Sequence, residues 1–258
     1  MNFEVLVDGH VLVEGPRADG DGAYFSDVVA GGVYRWSPKG VDTVVPLRRG
    51  VGGLVAHADG GVVVSGRDVV HGRRDVLGTR PGVTGYNDLV TTDDGGLLVG
   101  ALRFHPMAGE EAVPGEIWHV KPDGDADILL DGVLWPNGIG LSPDGSTVYV
   151  SDFAAGHVLA CGADGSGRRV FARVPAGAPD GLAVTSTGEI WVALGPAAAI
   201  ARLDGDGELV ETIEVPGADF VSSVSFGDGG DVLVSTGDSL LRVRGVDVAG
   251  RPVPPARV

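Results

Sequence analysis

Gly138-Ile139-Gly140-Leu141-Ser142-Pro143-Asp144-Gly145-Ser146-Thr147-Val148-Tyr149-Val150 is a pair of short apolar runs hinged on an Asp-Gly turn. A run too short for a helix, a glycine able to take positive φ, then a second run rich in β-branched residues spells strand, tight turn, strand. The same grammar recurs at Gly53-Leu54-Val55-Ala56-His57-Ala58-Asp59-Gly60-Gly61-Val62-Val63-Val64 and at Asp180-Gly181-Leu182-Ala183-Val184-Thr185-Ser186-Thr187-Gly188-Glu189-Ile190-Trp191-Val192. A third strand follows such hairpins at Gly32–Trp36, Glu116–Val120, His157–Ala160 and Leu240–Val243. Working outward from these, first-strand starts fall near Glu14, Gly53, Asn87, Asn137, Asp180 and Ser222, and 258 residues divided by six gives 43 per unit. Units of 40 to 50 residues holding several short strands are the mark of propeller blades.

Composition agrees with that reading. Glycine supplies 44 of 258 residues, more than twice the ordinary share of roughly 7%, and it sits at turns without the three-residue period of collagen. The apolar residues, 43% of the chain, come in short blocks, which excludes disorder. Glycine or proline interrupts windows of helical length, so a doubly wound fold with crossover helices is excluded. The expected fold is all-β: a six-bladed β-propeller formed by residues 1–258 as a single domain. The strand-like segment at residues 3–7 is expected to close the last blade and remove an exposed edge. The tail from Val248 to Val258 reads as a short surface segment, and Phe104 to Pro114 as the longest irregular insertion.

The formal net charge of −16 disfavours a nucleic-acid partner. No apolar stretch is long enough for a membrane span, and the first residues carry no basic-then-apolar leader, so the expected location is the cytoplasm. The single cysteine, Cys161, excludes an internal disulfide and reads as a structural or surface residue. Nucleophile-elbow and dinucleotide-binding glycine motifs are both missing. The aromatic residues Tyr34, Trp36, Trp118, Tyr149 and Trp191 sit at strand positions and read as blade packing.

The candidate chemistry stands at the heads of the first strands. Glu14, Asn87, Asn137 and Asp180 occupy the same slot in four units. In a propeller the first strands line a central channel, so four residues distant in sequence would meet there. Two carboxylates and two amide oxygens suit a hard divalent cation, Ca²⁺ first, with Mg²⁺, Mn²⁺ or Zn²⁺ as alternatives. Taken singly, Pro136-Asn137-Gly138 and Pro179-Asp180-Gly181 read as plain turns; repetition in one slot is what argues for a shared site. Asp88 reads as stiffening the backbone after Asn87.

Glu14-Gly15-Pro16, Asn87-Asp88, Trp135-Pro136-Asn137-Gly138-Ile139-Gly140-Leu141-Ser142-Pro143-Asp144-Gly145, Tyr149-Val150-Ser151-Asp152 and Pro179-Asp180-Gly181-Leu182, in that order, make the chain resemble the gluconolactonase family that includes regucalcin. The resemblance implies a propeller with one divalent metal in its channel. It implies Glu14, Asn137 and Asp180 as direct ligands, and Asn87 as a further asparagine touching metal or substrate. It gives Asp180 a second role as general base in lactone hydrolysis, and Asp152 a supporting or structural one. Members acting on sugar lactones carry an arginine two residues before the Asn87 match, where this chain has Gly85. Arg103, His105 and Trp135 are the remaining candidates for substrate contact. The expected activity is metal-dependent hydrolysis of a small lactone or ester by a monomer; the alternatives are an organophosphate-type phosphotriesterase, a non-enzymatic calcium- or ligand-binding propeller, and a biosynthetic enzyme resembling strictosidine synthase.

Overall fold

The computed structural model describes residues 1–258, apart from the side chain of Asp228. Six four-stranded antiparallel sheets form a six-bladed propeller. Blade 1 comprises Val13–Asp19, Gly22–Asp27, Val33–Ser37 and Gly40–Val45. Blade 2 comprises Leu54–Ala56, Val62–Val64, Val69–His71 and Arg74–Leu77. Blade 3 comprises Gly85–Thr91, Leu97–Leu102, Gly115–Val120 and Ala126–Val133. Blade 4 comprises Pro136–Leu141, Thr147–Asp152, His157–Gly162 and Arg169–Arg173. Blade 5 comprises Leu182–Val184, Ile190–Ala193, Ala199–Leu203 and Leu209–Glu214. Blade 6 takes Val221–Phe226, Val232–Thr236 and Leu240–Val243 from its own segment, and its outer strand is Phe3–Val7, paired antiparallel with Leu240–Val243.

The first strands of neighbouring blades touch one another and ring the channel. A hydrophobic cluster fills each junction between blades. Tyr149, Val158 and Phe171 of blade 4 meet Leu182, Ile190 and Val192 of blade 5, and the ring closes where Val13 and Phe25 of blade 1 meet Leu233 and Leu240 of blade 6. Trp191, fully buried, packs between blades 5 and 6, and Tyr149 is buried between blades 4 and 5. Hydroxyls pin the junctions where apolar packing ends. Ser222 Oγ donates to Val13 O at 2.6 Å, and Ser26 Oγ donates to Val51 O at 2.6 Å. Cys161 is free and buried, and burial pushes its thiol pKa up.

The tail differs from the sequence expectation. Gly250 bridges Thr185 of blade 5, Ala256 pairs with His57 of blade 2, and Arg257 N donates to Gly95 O of blade 3. Arg251 is buried, with its Nε donating to Ser142 O and its guanidinium paired with Asp93. The tail therefore straps one mouth of the channel. Its prolines hid this, because a segment laid across several blades carries no periodicity of its own. Beneath the strap lies a cavity of about 400 Å³ lined by the far halves of the first strands, including Val55, Leu141, Val184 and Phe226, and by Pro252. The candidate ligands lie at the opposite, N-terminal ends of those strands. Among the described residues no helix is long and apolar enough to cross a membrane.

Candidate functional site

A strand alternates its faces, so a side chain reaches the channel from a chosen position only where register permits. The pairing register shifts between Glu14 and Arg17, between Tyr86 and Leu89, between Pro136 and Ile139, and between Val221 and Ser223. Three of these irregularities coincide with Glu14, Asn87 and Asn137. Such a bulge inserts an extra residue and re-aims what it carries. In blade 5 the first strand begins only at Leu182, leaving Asp180 and Gly181 just ahead of it.

The residue after the candidate ligand is where first strands of adjacent blades come closest. A Cβ on Gly138 would lie 2.6 Å from Asp180 O and 2.7 Å from the Gly181 carbonyl carbon, and it would overlap the Leu182 nitrogen. One on Gly181 would run into the Ser223 side chain. Pro136-Asn137-Gly138 is thus part of a strand, with glycine demanded by close approach of backbones; the simple turn reading is set aside for it.

Glu14, Asn137 and Asp180 are buried. Burial raises the Glu14 pKa well above the usual carboxylate range, and the charges of Asp180 and Asp88 add to the rise. Burial and the Asp88 charge do the same to Asp180, against partial relief from the Asn137 side chain and the Gly181 N–H. Asp88 is raised by burial and eased by Arg17. Glu14 thus feels both Asp180 and Asp88, and Asp180 feels Asp88, with one guanidinium beside them: Arg17 Nη2 lies 3.5 Å from Asp88 Oδ1. Among the described residues, Asp180 Oδ1 is buried with no hydrogen-bond partner. Asn87 lies on the same side of the ring, its Nδ2 donating to Pro136 O at 3.0 Å and its Oδ1 against Gly52.

Asp88 and Arg17 were not among the candidate site residues. Asp88 Oδ1 does accept the Leu89 N–H at 2.8 Å, as expected, but its charge also reaches Glu14 and Asp180. Arg17 was missed because strict alternation would put it on the face opposite Glu14. The shift between them removes that restriction, and the proline within Glu14-Gly15-Pro16-Arg17 was the available signal.

The rim candidates separate. Trp135 stands at the mouth, its ring 5.2 Å from Phe104 and 4.4 Å from Phe153. Asp152 holds that corner by accepting the N–H groups of Leu134 at 2.8 Å and Trp135 at 3.0 Å. Arg103 is drawn sideways onto Glu116, its Nε donating to Oε1 at 3.0 Å. His105 is exposed on the insertion that follows the second strand of blade 3.

Among the described residues, no three His, Cys, Asp or Glu side chains are grouped as a metal cage built from them alone would require. A cation here would need amide oxygens as well, for which Asn137 and Asn87 are the candidates. An oxygen-only donor set with a buried, unpartnered Asp180 Oδ1 fits a hard divalent ion. A cysteine- or histidine-rich zinc site does not fit.

The model of the SMP-30/gluconolactonase/LRE-like region matches residues 12–237. Pentonolactonase XacC of Haloferax volcanii is 28% identical over 84% of this chain and 77% of its own length. The 6-deoxy-6-sulfogluconolactonase of Pseudomonas putida is 29% identical over 75% of this chain and 71% of its own. The crystal structure of regucalcin from Agrobacterium tumefaciens, described as a calcium-binding protein, superposes with a TM-score of 0.82 at 23% identity, covering 98% of this chain and 97% of that one. With the blade order, the channel residues and a family match over most of its length, the chain belongs to the SMP-30/gluconolactonase/LRE-like family.

Proposed function

We propose that this propeller is a divalent-metal-dependent lactonase-type hydrolase acting on a small lactone or ester, with residues 1–258 forming one unit around one site. The observation that carries the reading is the unpartnered Asp180 Oδ1 buried beside Glu14 and Asn137, in a family whose curated relatives include a pentonolactonase and a sulfogluconolactonase. Glu14, Asn137 and Asp180 would hold the cation and Asn87 would complete the set or touch substrate; calcium is the first choice because every donor is an oxygen. A bound divalent ion would supply Lewis-acid polarisation of the substrate carbonyl.

The chain's own residues then divide the remaining work. Asp180 accepts a proton from the attacking water, and closeness within the channel provides most of its effectiveness. The Asn87 side chain is held in place by its Nδ2, which donates to Pro136 O at 3.0 Å. Trp135, fixed through its backbone by Asp152, walls the mouth.

The test is a hydrolysis screen over γ- and δ-lactones, sugar lactones, aryl esters and organophosphates, run with Ca²⁺, Mg²⁺, Mn²⁺, Zn²⁺ and with chelator. Turnover of a lactone that chelator abolishes and cation restores is expected. Asp180→Asn should lower kcat by about 10²-fold or more, the usual scale for general-base removal. Metal-independent turnover, or full activity in that variant, overturns the reading.

A further inference from the structure

Because blades are antiparallel, the start of each first strand and the end of each second strand lie on one face. That face, on the carboxylate side, gathers Phe104 just past Leu97–Leu102, Trp135 just before Pro136–Leu141, Phe153 just past Thr147–Asp152, and Phe220 just before Val221–Phe226. Phe104 meets Trp135 edge to face at 5.2 Å, and Trp135 meets Phe153 at 4.4 Å. Phe153 and Phe220 both close on Gly195, their ring carbons 3.3 and 3.4 Å from where a Cβ would stand. The four rings thus form an arc from blade 3 to blade 6, and a bare glycine lets its last members approach. Trp135, Phe153 and Phe220 are only half-buried. Adjacent aromatic rings left partly in water beside the carboxylate end of the channel give an apolar surface on which a ligand can rest.

Several polar groups near the arc are held by neighbouring residues. Arg103 is held by Glu116, whose Oε2 accepts from Trp118 Nε1 at 3.1 Å. Thr84 Oγ1 donates to Phe104 O at 2.6 Å, and Asn87 Nδ2 donates to Pro136 O. Gly85 contributes no side chain. His105 lies exposed on the turn beyond Phe104. Reading several sugar hydroxyls needs several free donors and acceptors, and this arc offers ring faces.

We infer that the aromatic arc of Phe104, Trp135, Phe153 and Phe220 selects lactones or esters bearing an aryl or alkyl substituent over polyhydroxylated ones. The inference rests on the hydrolase reading for its substrate class. Each methylene matched by an apolar pocket is worth about 10-fold or more in selectivity.

The test uses metal-loaded protein and three δ-lactones of one ring size: phenyl-substituted, unsubstituted and polyhydroxylated. The phenyl lactone should show a kcat/KM about 10-fold or more above the polyhydroxylated one. Phe153→Ala and Phe220→Ala should each lower kcat/KM for the phenyl lactone about 10-fold, through KM, and change the unsubstituted lactone less than about 2-fold. Calorimetric binding of the phenyl δ-lactam, a non-hydrolysable isostere, runs in parallel, and circular dichroism confirms that each variant is folded. A preference for the polyhydroxylated lactone, or equal loss on all three substrates, overturns the inference. Lactam binding that both variants weaken, without turnover of any lactone, would retire the hydrolase reading and uphold the arc. Absence of both turnover and lactam binding would retire both.

Discussion

Asp180→Asn should change the sign of its effect on stability when a divalent cation is added. Without a cation, Asp180 Oδ1 has no donor, and burial, together with the Asp88 charge, disfavours its ionised carboxylate. An amide of the same shape never has to ionise there, and sparing a buried, unsatisfied carboxylate is worth on the order of 1 kcal/mol. At about 2–4 °C per kcal/mol for a domain of this size, the variant should melt slightly above the parent in chelator. A cation at about 100 times its Kd stabilises the folded state by about 2.7 kcal/mol, so the parent should rise by about 5–11 °C. The variant loses one of two anionic ligands and should rise by less than about 2 °C. The two melting temperatures should therefore cross between chelator and calcium. Thermal melting followed by circular dichroism, with a monovalent salt control at matched ionic strength, reads both. A parent melting temperature indifferent to Ca²⁺, Mg²⁺, Mn²⁺ and Zn²⁺, or an equal rise in the variant, would refute the reasoning.

Two further outcomes follow from the ring itself. Gly138→Ala should destabilise the protein by about 2 kcal/mol or more, lowering the melting temperature by about 4–8 °C, because the new methyl meets backbone atoms of Asp180, Gly181 and Leu182 that cannot swing aside. An unchanged melting temperature would show that blades 4 and 5 are further apart there. Asp27 Oδ1 accepts the Val29 and Ala30 N–H groups and Oδ2 accepts that of Val11 at 3.0 Å. Burial works against its ionised form, yet these bonds and His10 outweigh burial and hold its pKa below the usual range. Its contribution is accordingly present above the unfolded value of about 3.9 and lost as pH falls through the lower folded value. Asp27→Asn should cost about 2 kcal/mol at neutral pH, and urea denaturation across a pH series should show the gap closing in acid; a gap constant with pH would rule out the assignment.

Hairpins were legible because their chemistry is local. Asp144 Oδ1 accepts from Ser142 Oγ and from the Ser146 N–H, and Gly145 takes a φ of 71°, so the turn follows from a few adjacent residues. Third strands at Gly115–Val120 and Leu240–Val243 fall within a residue of their expected positions, since alternation and flanking glycine mark them. The heads of the first strands were legible as a repeated slot. The carboxylate triplet of Glu14, Asp88 and Asp180, with Arg17 beside it, was not. Its assembly depends on register shifts that the two-residue period of a strand cannot show, and on partners far apart in the chain, as with Arg17 Nη2 and Leu89 O, 72 residues away. The strap was hidden for a similar reason: Arg251 finds its partners at Asp93 and Ser142, across the channel mouth.

Asn137 and Asp180 are each followed by a glycine that faces the next blade's backbone or side chain at contact distance. The geometry of the proposed ligand slot is therefore tied to closure of the six-bladed ring, and altering one disturbs the other. Phe104, Trp135, Phe153 and Phe220 stand beyond the strand ends. Of these, Phe104 is buried while the other three keep part of their surface in water. Truncating Phe153 or Phe220 removes less buried area than truncating a junction residue such as Trp191, and leaves the ring contacts intact. On the proposed reading, selectivity can move at the rim with little cost in stability, whereas the residues behind Glu14, Asn137 and Asp180 must satisfy the fold before they can serve the chemistry.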